Sequence, residues 1–333
     1  RIGVFSNRRT VEELRSFNAK WSVGPLDDLP GYLEKRTGER DSLNYEIDGL
    51  VVKVDELEVR ERLGYTGHHP RWAIAYKFEA PEGTTRVTSI DVQVGRTGRV
   101  TPVARVEPVQ VGGSTIRNVT LHNQDYVALL EISIGDTVAI SRRGDVIPAV
   151  ERVIQKNEEG NPVWKMPDEC PSCGQTLETY GAHHFCRNPS CPDQVRGRLH
   201  FFISSDRMDI ENLGPETVEL LIEEGLVEDL PDLYTVDYSR LAEYPGFGEK
   251  KIAHIREGVE KSKNRPFSSV LPALGVPEVG PNVTELLIGA GYTDIDSILD
   301  IAERSDVDAL TSIKGIGEKT AETIVEEFSR PET

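Results

Sequence analysis

No stretch of this 333-residue chain is apolar for long enough to cross a bilayer, and no signal peptide is visible. The expectation is a protein with no membrane partner. Cysteine is scarce: there are four, all between residues 170 and 191. That clustering excludes a disulfide framework spread along the chain and fits metal ligands in a reducing, cytoplasmic setting. Positive charge is also short, with 38 basic against 56 acidic side chains and a net charge of -18. Lysine makes up 12 of the 38 and arginine 26. This excludes a uniformly basic nucleic-acid binder, but the deficit is local. Residues 209–333 hold 11 basic and 27 acidic side chains, which is -16 of the total, whereas residues 1–89 hold 14 and 15 and residues 90–152 seven of each. The acidic total therefore leaves contact with DNA open elsewhere. The length suits two to four domains with proper cores.

The first region carries a helical stretch, "TVEELRSFNAKW", and two strand-like runs. In "EIDGLVVKVD" (46–55), Lys53 shares its face with Val51 and Gly49. In "RWAIAYKF" (71–78), Lys77 shares a face with Ala73 and Ala75, while Trp72, Ile74, Tyr76 and Phe78 share the other. Alternation of this kind predicts strands. A lysine among small neighbours either leaves room for something flat or anionic, or snorkels at a sheet edge.

From 82 to 155 come short alternating runs with glycine turns, the pattern of a small β-barrel. Its turns are basic. "VGRTGRV" carries Arg96 and Arg99, and "SRRGDVIP" carries Arg142 and Arg143. Basic turns on a small barrel suit a nucleic-acid backbone or groove, although one such turn taken alone is an ordinary exposed hairpin. Asn118, His122 and Asn123 are further polar candidates. A polar bridge then leads to "CPSCGQTLETYGAHHFCRNPSCP". Cys170-x2-Cys173, twelve residues and Cys186-x4-Cys191 place two thiolate pairs on tight turns, as a structural Zn2+ site with no open position requires. His183 and His184 stand as competing ligands.

The C-terminal third repeats. Gly214, Gly248, Gly280 and Gly317 each lie between a short apolar helix and a longer amphipathic one. A single glycine hairpin is more often a plain helix connection, but four in tandem are not. "PGFGEKK" and "KGIGEKT" resemble the helix-hairpin-helix element of DNA repair and replication proteins. Gly246, Gly248, Gly315 and Gly317 would let a phosphate approach the backbone, the following helix start would face it with free N–H groups, and Lys250, Lys251 and Lys319 would add charge. Such contacts hold the DNA backbone without reading sequence. "NLGPET" and "VPEVGPN" lack the lysines and are expected to have weaker phosphate roles.

This order of elements resembles the NAD-dependent DNA ligases of bacteria over essentially the whole chain. "EIDGLVVKVD" and "RWAIAYKFEAPE" match the family's fourth and fifth nucleotidyltransferase motifs, and "VGRTGRVTPVARVEPV", "TLHN" and "RRGDVIP" match its OB domain. The resemblance implies a multidomain α+β protein. Its parts would be the C-terminal part of an adenylation domain (1–81), an OB-fold barrel (82–158), a four-cysteine zinc finger (165–195) and four helix-hairpin-helix repeats forming an all-α domain (196–333). It implies that Lys77 lies next to the α-phosphate of AMP and Lys53 nearer the adenine. Asp48 would help hold charge or metal, and Arg40 falls where the family keeps an essential arginine. It also implies NAD as AMP donor, Mg2+ or Mn2+, one structural Zn2+ and nicked duplex DNA as substrate, in a monomeric, nucleoid-associated cytoplasmic enzyme of replication and repair. The departures are specific. No Lys-x-Asp-Gly occurs, so the adenylated lysine is missing, as are the family's nicotinamide-recognising part and its BRCT domain. The loop between the cysteine pairs is shorter than the family's. The expectation is an internal fragment, inactive alone, with a zinc-stapled non-catalytic DNA scaffold as the rival reading.

Overall fold

The computed structural model describes residues 2–4, 23–43, 49–66, 69–78, 82–143 and 147–330, with the backbone alone at 2–4, 41 and 143. The helix expected over "TVEELRSFNAKW" and the candidate Asp48 lie outside the described residues. The chain divides into two units. One comprises Arg1–Asp91, Val103–His122 and Tyr126–Trp164, and the other Val92–Pro102, Asn123–Asp125 and Lys165–Thr333.

The first unit begins with an antiparallel sheet in the order β2-β1-β3-β4, built from β1 (Ile2–Val4), β2 (Val23–Gly24), β3 (Gly49–Val54) and β4 (Ala73–Lys77). Helices α1 (Leu29–Gly38) and α2 (Leu57–Leu63) flank β3 in sequence. β3 and β4 pair with Gly49 opposite Lys77, Val51 opposite Ala75 and Lys53 opposite Ala73. Gly49 is dictated by this pairing. A Cβ there would stand 2.4 Å from the Tyr76 carbonyl oxygen and 3.0 Å from the Lys77 Cα.

The barrel uses β5 (Glu82–Val94), β6 (Arg99–Val111), β7 (Ser114–Thr120), β8 (Thr137–Arg143) and β9 (Ile147–Gln155). The sheet runs β6-β5-β8-β9-β7 and closes through β6–β7, with β7 and β9 the parallel pair. A five-stranded closed barrel in this order, with α3 (Gln124–Leu130) between its third and fourth strands, is an OB fold. Alternation along the strands sends Val87, Ala104, Val119, Val138, Ile140 and Val150 inward, where Leu121 and Ile132 join them. The polar bridge after β9 is pinned by a buried carboxylate. Asp136 accepts hydrogen bonds from the Ser133 N–H at 2.8 Å and from the backbone and side chain of Asn157 at 2.8 and 2.9 Å.

In the second unit, β10 (Glu178–Tyr180) and β11 (His183–Phe185) form the hairpin of the cysteine module. β11 pairs onto the start of β6, Phe185 with Arg99 and His184 with Val100. α4 (Pro192–Ile203) starts directly after Cys191. Then follow α5 (Pro215–Glu223), α6 (Asp232–Thr235), α7 (Glu249–Ser262), α8 (Phe267–Ala273), α9 (Pro281–Gly289), α10 (Ile295–Arg304), α11 (Val307–Thr311) and α12 (Glu318–Phe328). These helices bury two separate cores. One is centred on Leu199, Leu221, Leu233, Leu241 and Ile255, and the other on Leu287, Ile298, Ile301, Leu310 and Ile324. The repeats therefore fold as two pairs, because one helix-hairpin-helix is too small to cover its own apolar faces. Among the described residues no helix is long and apolar enough to cross a membrane.

Candidate nucleotide face, cysteine cluster and phosphate hairpins

Side chains opposite each other in an antiparallel pair share a face, and steps of two along a strand return to it. The register therefore puts Lys53 and Lys77 on one face of the sheet, with Gly49, Val51, Ala73 and Ala75. Lys77 sits opposite Gly49, four residues from Lys53, so the two lysines are separated by roughly 14 Å of strand floored by small side chains. Lys53 is half-buried. That burial, and then the positive charge of Arg60, lower its pKa. Lys77 is exposed. The Arg40 guanidinium stands 5.8 Å from the centre of the Phe78 ring, beyond the end of β4. A groove of about 470 Å³ lined by Leu29, Pro30, Leu33 and Tyr76 lies on the other side of β4, since Tyr76 points away from Lys77.

The four cysteine sulfurs all lie within 4.8 Å of one another. Cys170 and Cys191 are 3.8 Å apart, and Cys173 and Cys186 are 3.5 Å apart. A tetrahedral ion with Zn–S bonds of about 2.3 Å has S···S edges of about 3.8 Å, so the cluster could hold zinc with little adjustment. The donor chemistry agrees. Burial pushes the Cys186 thiol up to about 12 and raises that of Cys170, while a backbone N–H hydrogen bond from Gln175 brings Cys173 down to about 7. Buried sulfurs brought this close need a cation to become thiolates together. Of the two histidines, His183 faces Arg99 at 2.9 Å and His184 lies in β11, so the cluster is made of sulfur alone. The module is joined to the tip of the β5–β6 hairpin. The Cys186 N–H donates to the Gly98 carbonyl at 2.8 Å, and a Cβ on Gly98 would meet the Cys186 carbonyl at 2.2 Å. Gln194 is buried and donates to the carbonyls of Cys186 and Asn188 at 2.9 and 3.0 Å, a role its spacing did not signal.

The four hairpins share one backbone geometry. Two residues before each helix-starting glycine the chain turns left-handed, with φ of 66° at Asn212, 86° at Gly246, 64° at Glu278 and 105° at Gly315. The glycines themselves are extended N-caps, with φ/ψ of -82°/168° at Gly214, -73°/162° at Gly248, -97°/-176° at Gly280 and -90°/167° at Gly317. No side chain caps any of these four helices. Where the helix opens on a residue with an N–H, at Glu249 and Glu318, the first N–H groups therefore keep anion-binding capacity, whereas Pro215 and Pro281 open the other two helices without one. At Gly248, Gly280 and Gly317 an added Cβ would meet nothing within 4 Å. Neither conformation nor internal packing demands glycine there, and at Gly248 and Gly317 the open space leaves room for a close approach from outside. Lys250 is exposed, and the Lys251 ammonium sits 3.7 Å from the centre of the Phe247 ring. Lys319 pairs with Glu278 of the preceding hairpin at 2.8 Å. Aligning the four hairpins on their glycines would have exposed the odd residue, Glu278.

The barrel arginines separate. Arg96, a candidate for a nucleic-acid backbone or groove, has its guanidinium 4.0 Å from the Phe201 ring centre and donates to the Gly275 carbonyl at 2.8 Å. Burial, and then neighbouring Arg207, lower its pKa. It is a packing element of the second unit. The cause is its place in a tight turn, where Gly197 comes so near that a Cβ would be 2.9 Å from the Arg96 Cβ. Arg99 stays exposed beside His183. Arg142 reaches the Gly112 carbonyl and the Ser114 hydroxyl, both at 3.1 Å. The Arg143 side chain lies outside the described residues.

Comparison with known proteins gives three matches to domain families. Residues 12–81 match the NAD-dependent DNA ligase adenylation domain, 84–162 the NAD-dependent DNA ligase OB-fold domain, and 206–261 and 270–330 the SAM-like helix-hairpin-helix tandem. Those last two ranges hold most of the two paired cores. The chain is 44% identical over 318 residues to a DNA ligase of Borrelia garinii subsp. bavariensis, covering 95% of this chain and 47% of that protein. It is 40% identical over 339 residues to a DNA ligase of Borrelia turicatae, covering 98% and 50%. A DNA ligase of Leptospira interrogans is 43% identical over 296 residues, covering 87% and 43%. The chain thus spans about half the length of the curated relatives it matches.

Proposed function

The chain belongs to the NAD-dependent DNA ligase family, and on that premise we propose that the complete protein seals nicks in duplex DNA with NAD as its AMP donor. AMP would first be carried on a lysine outside these 333 residues, which contain no Lys-x-Asp-Gly. It would then pass to the 5′-phosphate of the nick and leave when the 3′-hydroxyl attacks.

Within this chain, Lys77 contacts the α-phosphate and Lys53 lies nearer the adenine, both from the face that carries Gly49 and the two alanines. Arg40 and Asp48 complete the pocket. A lysine aimed at developing phosphate charge stabilises the transition state more than the ground state. Mg2+ or Mn2+ supplies charge neutralisation on the phosphates. One Zn2+ is held by Cys170, Cys173, Cys186 and Cys191 and is structural. Arg99, Arg142 and Arg143 from the barrel, with Gly246, Gly248, Lys250, Lys251, Gly315, Gly317 and Lys319 from the hairpins, hold the DNA backbone. The domains are bounded at 1–81, 82–158, 165–195 and 196–333. The enzyme acts as a nucleoid-associated cytoplasmic monomer.

The observation that carries the DNA reading is the uncapped helix start behind Gly248 and Gly317, where an added Cβ would meet nothing within 4 Å. The lysine face favours the ligase over a non-catalytic scaffold, which has no use for it. The test is to incubate a chain extended upstream through its adenylated lysine with NAD or ATP and weigh it. A covalent AMP adduct from NAD alone is expected. Failure of a folded, zinc-loaded protein to form an adduct with either would overturn the ligase reading.

A further inference from the structure

The left-handed position of the helix-hairpin-helix turn is occupied by glycine in the second and fourth hairpins and by asparagine in the first. These are the residue types that adopt positive φ at least cost. The third hairpin places Glu278 there, at φ 64°. Strain of this kind, in a side chain that packing does not require, points to a use for the side chain.

Its carboxylate has a definite partner. Glu278 Oε1 accepts from Lys319 Nζ at 2.8 Å, and Lys319 is the second residue of α12, beside the uncapped start of the fourth hairpin's helix. The pair is open to solvent, with side-chain exposures of 43% for Glu278 and 82% for Lys319. An exposed ion pair is weak and exchangeable. The third hairpin is itself poor at holding an anion. "VPEVGPN" has no basic residue, and Pro281 opens α9 without an N–H. The second and fourth helices begin at Glu249 and Glu318, which keep that N–H.

We propose that Glu278 sets the affinity of the hairpin array for DNA: the third hairpin does not cradle a phosphate but holds Lys319 in an ion pair that a backbone phosphate must displace. This rests on the hairpins being DNA contacts, as read under Proposed function. The arrangement keeps the grip of the fourth hairpin weak until a phosphate is in place, which favours release after sealing.

The test measures binding of the 333-residue chain to a fluorescent nicked duplex by anisotropy, over a series of salt concentrations. Glu278→Gln and Glu278→Gly are each expected to bind about three- to tenfold tighter at low salt, with a salt slope steeper by up to about one counterion. In a Lys319→Ala background the same substitutions should give no gain, since the effect runs through that lysine. Glu278→Gly places glycine at a positive φ, so it should melt no lower than the parent, which separates binding from folding. Unchanged or weaker binding by both single variants overturns the proposal. So does a gain that survives in Lys319→Ala, which would make Glu278 a general negative charge. Lys250→Ala with Lys251→Ala is the independent control. If that double variant keeps full affinity, the hairpins are not DNA contacts, and the reading fails together with the proposal.

Discussion

Replacing Gly248 or Gly317 with aspartate should raise stability and lower DNA binding at once. Both glycines are extended N-caps with no capping side chain, and an added Cβ meets no atom within 4 Å. Aspartate fits this conformation, accepts from the second or third helical N–H and faces the positive end of the helix dipole. The gain is about 0.5 kcal/mol, the difference between glycine and a good acceptor at an N-cap plus a favourable charge. The same oxygen occupies the N–H groups that a phosphate would use, and its charge repels the phosphate. Losing one such contact should weaken binding about tenfold or more and reduce the salt slope by about one counterion. Thermal melting and anisotropy titrations on one preparation read both effects. A rise in melting temperature with unchanged DNA affinity would refute the assignment of these hairpins to phosphate. A fall in melting temperature would refute the claim that the helix starts are uncapped.

Four further outcomes are expected. Purified protein should contain one zinc per chain by atomic absorption, and Cys186→Ser should lose the zinc and lower the melting temperature of the second unit, because a buried ligand has gone. Gly49→Ala should disrupt the β3–β4 pair, since its Cβ would stand 2.4 Å from the Tyr76 carbonyl; circular dichroism and loss of AMP transfer in the complete protein check this. Burial alone would raise the Asp136 carboxyl, but hydrogen bonds from Asn157 and Ser133 outweigh it and leave its pKa below the ordinary value. A folded pKa below the unfolded one gives stability that is full above the unfolded value, near 4, and is lost as pH falls through the folded value; Asp136→Ala should remove this acid dependence from urea titrations and cost about 3 kcal/mol at neutral pH, for N–H donors left unpaired at about 1–3 kcal/mol each. Lys77→Ala in the complete protein should abolish sealing while duplex affinity stays near normal, and sealing at a normal rate would remove Lys77 from the AMP pocket.

What could be read from the sequence was what repeats along it. A period of two places Lys53 and Lys77 on faces of small residues, and the register of β3 and β4 then makes those faces one face. The cysteine spacing predicts a four-sulfur cluster because ligand geometry is local. The glycine period predicts four hairpins, but not that their helices share cores two by two, which depends on which apolar faces meet. Direction is a tertiary property, and there the reading of basic turns was incomplete. Arg96 and Arg99 sit on the same glycine-bounded turn and carry the same charge, yet one stacks on Phe201 and donates to Gly275 while the other stays at the surface. The difference comes from Gly197 and Gly275, about 100 and 180 residues further along, whose missing side chains open the space that Arg96 fills. A guanidinium that stacks on an aromatic ring is an adhesive as much as a charge. Basic residues on one turn therefore divide into those that face solvent and those that hold the surface in shape, and only the atoms around each arginine tell them apart.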